Sequence, residues 1–174
     1  IKKWSNKIDG WRSFSFYEKI MFFSSFKINK ELNDIIKKEI LHSKKNWSKD
    51  LNKVKALTSG YKPDLKFFDI LKFKITERLK EITNKEFKPT DWWANFYEVG
   101  HFANSHHHKP EHISSIIFIK TDKHNPLYFD LEPGILRVNE EEGLVLLFDS
   151  RFKHGVDPTK EERITLAIDF IKNF

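Results

Sequence analysis

The chain has 174 residues, 39% of them hydrophobic and 15% aromatic, which is enough apolar bulk for one sizeable core and too much for a disordered chain. It has no Cys, so a disulfide framework and a thiolate metal site are excluded, and it has no apolar run of the roughly 18 residues that a membrane-spanning helix needs. The net charge of +6 is uneven: 22 Lys and Arg against 11 Asp and Glu up to residue 90 give +11, and 9 against 14 beyond it give −5.

The first residues, IKKWSNKIDGW, lack the apolar stretch of a secretory signal, and a start at Ile fits a trimmed N-terminus. With no Cys, a cytoplasmic protein is expected. The lysines of the basic half are spread out, with no compact Arg cluster. They read as solvated helix faces rather than as a nucleic-acid surface. Residues 28–45 place Leu32, Ile35, Ile36, Ile40 and Leu41 on one stripe at helical spacing, which predicts a helix with a face free to pack or to form an oligomer. Residues 62–85 carry a second stripe (Leu65, Phe68, Ile70, Leu71, Ile75, Leu79, Ile82) with Pro63-Asp64 at a plausible helix start.

Beyond residue 88 the periods shorten. Strands are expected over residues 91–99, 113–121, 127–131, 135–138, 143–149 and 163–170, separated by turn signals such as Pro133-Gly134. Helices first and strands after argue against a doubly wound parallel sheet. The expected fold is α+β, mainly β: a double-stranded β-helix, or jelly roll, with N-terminal helices packed on one face. One domain is expected over residues 1–174, with a helical layer over 1–88 and the β-helix core over 89–174.

Five of the eight histidines fall between residues 101 and 112, and His154 stands apart, 46 residues after His108. In an extended segment His106 and His108 share a face while His107 points away. The pair makes a two-pronged start to a metal site, and His154, after an apolar strand and a turn, is placed to supply a third imidazole. A mere surface run of histidines is the competing reading. His101 and His112 are expected to serve structure. Nine residues after His154, Arg163 opens a strand on the face opposite Ile164, Leu166 and Ile168, with Thr165 beside it. An inward guanidinium with a neighbouring hydroxyl suits a carboxylate. The alternative is an Arg paired with Glu161, Glu162 or Asp169.

His106-x-His108, then His154, then Arg163-x-Thr165 resembles the Fe(II)/2-oxoglutarate-dependent oxygenase superfamily, whose order is His-x-acid, a distal His and Arg-x-Ser. The closer resemblance is to a branch of 2-oxoglutarate oxygenases from marine bacteria and phages. It is carried by Trp93-Ala94-Asn95, His106 to Pro110, Ser114-Ser115-Ile116 and Gly143 to Ser150, and it covers residues 90–172. It implies that His106, His108 and His154 hold Fe(II). It also implies that 2-oxoglutarate chelates the metal while its far carboxylate meets Arg163 and Thr165, that Asn95 and Tyr97 hydrogen-bond the co-substrate, and that O₂ is used to hydroxylate a small-molecule or peptide substrate. The departure is His108, which stands where the superfamily has an acid; Glu111 is the carboxylate held in reserve. Two other readings stay open: a cupin-type three-histidine metal enzyme and a non-catalytic jelly-roll binding module.

Overall fold

The structure is a computed structural model that describes residues 12–16, 19–49, 53–110 and 112–173. Glu111 lies outside the described residues.

Two β-sheets face each other, and two helices cover the outer side of the larger one. Strands β1 (Arg12–Phe16) and β2 (Lys19–Lys27) form a hairpin, followed by helix α1 (Lys30–Ser43) and three two-residue strands, β3 (Ser48–Lys49), β4 (Val54–Lys55) and β5 (Leu57–Thr58). Helix α2 (Phe67–Thr83) leads into β6 (Phe87–Tyr97), β7 (Phe102–His106), β8 (His112–Lys120), β9 (Tyr128–Asp130), β10 (Ile135–Arg137), β11 (Leu144–Asp149), β12 (Lys153–Val156) and β13 (Arg163–Lys172). The large sheet has the order β1-β2-β11-β8-β13-β6-β5-β3, and the small one β10-β9-β12-β7-β4. This pair of facing antiparallel sheets is a jelly roll, mainly β, with its two helices on one face. The segment before residue 88 contributes strands to both sheets as well as the helices.

Both helices lie inside the stretches where apolar spacing predicts them. Asn29 caps α1, its side chain accepting from Leu32 N at 2.9 Å, and Ile36 and Ile40 are fully buried. Ile35 and Leu41, read as part of the same stripe, are exposed. They lie at the stripe's margins, and only its middle touches the sheet. Helix α2 starts at Phe67, four residues past Pro63, and ends at Asn84 in the left-handed region with φ 52°. It buries Phe68, Leu71, Ile75 and Leu79.

The period of two along the central strands sorts residues between two cores. On β13, Ile164, Leu166, Ile168 and Phe170 join the helices in one apolar cluster, together with Ala94 and Phe96 of β6 and Ile117 and Ile119 of β8. On the other faces of β8 and β11, Ile116, Phe118, Leu146 and Phe148 pack between the sheets with Phe129. That leaves Arg163, Thr165, Ala167 and Asp169 on the inner face of β13, toward the small sheet. Among the described residues no helix is long and apolar enough to cross a membrane.

Candidate metal centre and anion pocket

His106 ends β7 and His154 lies directly across from it on β12, where the ladder has a register shift before Val156. Their ring centroids are 4.6 Å apart. His108 sits beyond the end of β7, in the loop to β8, so strand alternation does not place it. Its main-chain N–H instead donates to Ser150 O at 2.9 Å, tying the loop to the turn after β11. The ring lies 5.5 Å from that of His106 and 5.1 Å from that of His154. One ligand atom from each of the three histidines falls within 4.8 Å of the others. His107 points elsewhere and is exposed.

Each ring is fixed through Nδ1. His106 Nδ1 donates to Asn104 O at 2.7 Å, His154 Nδ1 to Phe152 O at 3.0 Å, and His108 Nδ1 to Asp169 Oδ1 at 3.0 Å. A carbonyl or carboxylate oxygen only accepts, so each Nδ1 carries its hydrogen and each Nε2 keeps its lone pair. Three clustered imidazoles whose Nδ1 atoms are engaged, leaving Nε2 free, are a donor set for a divalent transition metal. Burial holds His154 well below the usual histidine pKa, with repulsion from His106 and His108 adding to it. Burial likewise lowers that of His106, against the pull of the Asn104 carbonyl. Both are therefore neutral at physiological pH, the form that ligates.

The same pocket, with about 460 Å³ of empty space partly open to solvent, is lined by the three histidines and by Trp93, Asn95, Tyr97, Arg163 and Thr165. These come from directly paired positions: Arg163 opposite Tyr97, Thr165 opposite Asn95, and Ala167 opposite Trp93 in the β13–β6 ladder. Trp93 lies 5.5 Å from the His108 ring and is met edge-on by Tyr61 at 5.3 Å. Of the other aromatics of this region, Phe96 belongs to the helix-side core, and Phe118 and Phe129 fill the space between the sheets.

Arg163 is fully buried, with Phe118 and Tyr97 rings 5.4 and 5.9 Å from its guanidinium carbon. Its partner is Glu140, which accepts from Nη1 at 2.5 Å, and not Glu161, Glu162 or Asp169. Those three face His124, Lys120 and His108 respectively. Glu140 lies in the loop after β10, beyond the reach of a strand-based reading. Burial pushes its carboxyl above the ordinary range although the guanidinium draws it down. Arg163 Nε and Nη2 have no hydrogen-bond partner among the described residues. Two buried donors without acceptors are costly, and a carboxylate is the group that would satisfy both.

No family model matches this sequence, and no curated protein matches it. Solved structures do. A prolyl-4-hydroxylase from Pseudomonas putida is 15% identical, with a TM-score of 0.71 over 87% of this chain and 93% of its own. The Trichoplax adhaerens prolyl hydroxylase, bound to a fragment of the oxygen degradation domain of hypoxia inducible factor, is 14% identical, with a TM-score of 0.71 over 86% of this chain and 83% of its own. This is the fold of the 2-oxoglutarate oxygenases. HygX from Streptomyces hygroscopicus, with nickel, 2-oxoglutarate and hygromycin B bound, has it too: 10% identity and a TM-score of 0.64 over 87% and 83% of the two chains.

Sequence reasoning missed Glu140 as the partner of Arg163 and Asp169 as the partner of His108. Asp169 was within reach of the pattern, because it stands an even six residues after Arg163 and so shares its face.

Proposed function

We propose that this protein is a non-haem Fe(II)- and 2-oxoglutarate-dependent oxygenase, with His106, His108 and His154 as metal ligands and Arg163 and Thr165 as the anchor for the distal carboxylate of 2-oxoglutarate. The observation that carries the reading is the pairing, in one pocket, of three imidazole donors with a buried guanidinium that has two nitrogens without a partner among the described residues. A bare metal site needs no such Arg, which favours this reading over a cupin-type enzyme or a binding module. The kinship with the marine bacterial and phage branch rests on motif order alone.

Fe(II) with bound 2-oxoglutarate and O₂ supplies oxidative decarboxylation coupled to oxidation of a substrate C–H bond. The chain supplies position and electrostatics. Three neutral ligands leave the ion its full +2 charge, which favours a dianionic co-substrate. Asn95 and Tyr97, across the ladder from Thr165 and Arg163, are placed to hydrogen-bond the co-substrate. Trp93 lines the pocket beside His108. The substrate is a small molecule or a peptide. The described residues act as one domain, since both helices and the strands β1 and β2 build on the large sheet that carries Arg163. The test is succinate release from 2-oxoglutarate under air with Fe(II) and ascorbate. An oxygenase releases succinate even without substrate, slowly; no succinate above a metal-only control would contradict the reading.

A further inference from the structure

Among the described residues, His108 alone of the three imidazoles is held by a carboxylate; His106 and His154 are held by main-chain oxygens. His108 is also the residue that stands where an acidic ligand would. Its partner Asp169 is 8% exposed and lies on the inner face of β13. Ser114 Oγ donates to the same Asp169 oxygen at 2.7 Å and lies 2.9 Å from Ser150 Oγ. No Lys or Arg pairs with Asp169 among the described residues, so the nearest group able to share its charge is the His108 ring. A buried carboxylate needs a counter-charge. A divalent ion on the far nitrogen of that ring would provide it.

We propose that Asp169 is a positioning residue of the metal centre: through His108 it returns to the ion the negative charge that an acidic ligand at position 108 would have supplied directly. The inference rests on reading His108 as a ligand. A carboxylate that accepts the Nδ1–H fixes the ring plane and makes Nε2 a stronger donor. Ser114 holds the carboxylate in turn, and Ser150 meets Ser114. Strand β13 then carries both the anchor for the co-substrate, Arg163, and the compensation for the missing acid, six residues apart on one face.

The test is equilibrium titration of the metal-free protein with Co(II), read by chelator competition and by the visible absorption of the bound ion. Asp169→Asn keeps the shape and an acceptor oxygen but removes the charge. It is expected to weaken Co(II) binding about 10- to 100-fold and to shift the absorption bands, while the metal-free protein melts near the wild-type temperature. Should that variant fail to fold, Ser114→Ala, which removes one donor to Asp169, is expected to weaken Co(II) several-fold with a smaller band shift. An Asp169→Asn or folded Ser114→Ala protein with wild-type affinity and spectrum would overturn the proposal. The parent reading fails separately, if wild type binds no Co(II) or if His154→Ala binds it as well as wild type does.

Discussion

Arg163 and Glu140 form an ion pair with side chains 0% and 2% exposed, and Arg163 lines the same pocket as the three histidines. Breaking such a pair from one side leaves an uncompensated buried charge, at a cost of about 3–5 kcal/mol. Arg163→Ala is therefore expected to lower stability sharply, and Arg163→Met combined with Glu140→Gln to restore much of it. Chemical denaturation of the two variants beside wild type measures this. Equal losses in the single and double variants would show that the pair is not coupled.

Glu140→Gln alone leaves Arg163 charged and without its carboxylate. Its metal-free form is expected to be less stable than wild type, yet to gain a larger rise in melting temperature from added 2-oxoglutarate, because ligand binding then satisfies a greater need. An unchanged ligand shift would mean that Glu140 does not compete for the guanidinium.

Thr165→Val and Asn95→Ala remove polar atoms from facing positions of the same ladder. A hydrogen bond to a charged group is worth about 1.5–3 kcal/mol, so each is expected to weaken 2-oxoglutarate about ten- to a hundredfold with metal affinity unchanged. Parallel titrations with 2-oxoglutarate and with metal distinguish this from a general collapse of the site, in which both would fall.

His106 and His154 have pKa values lowered from 6.5 by burial. A lowered histidine pKa contributes stability that is fully present above 6.5 and is lost as pH falls from there toward the folded value. Glu140 works in the opposite sense. Its raised pKa gives stability that is present below 4.5 and lost as pH rises through the folded value. The metal-free protein is expected to lose stability as pH falls below 6.5, and His154→Gln to flatten that slope. Melting temperatures across this range would reveal it; a parallel slope in the variant would place the cause elsewhere.

Gly155 follows His154 in a strand interior. A Cβ there would meet Tyr128 Oη at 2.5 Å and Ala103 O at 2.8 Å. Gly155→Ala is expected to cost about 1–3 kcal/mol through overpacking and to weaken metal binding by displacing β12. Wild-type stability and affinity would show that the Tyr128 ring yields without moving His154.

The apolar strands beyond residue 88 and both helices were legible in the sequence because they carry Leu, Ile and Phe at regular spacing, whereas the hairpin of β1 and β2 was not, since it lies in the half read as a helical layer. Strands β7 (FANSH) and β12 (KHGV) were not: the inward positions that would mark them hold histidines and small residues, so the metal site erases the pattern that announces its own strands. The inward direction of Arg163 and Thr165 followed from a period of two along β13. The Glu140 contact did not, since it joins a loop to a strand 23 residues away and no periodicity encodes such a meeting.

The most direct measurement is anomalous diffraction from crystals grown with Mn(II) and 2-oxoglutarate, a redox-quiet stand-in for the iron complex. One Mn(II) is expected among the Nε2 atoms of His106, His108 and His154, with a diacid reaching from it to Arg163. A peak elsewhere, no peak, or a bound ion with no diacid at the guanidinium would contradict the account.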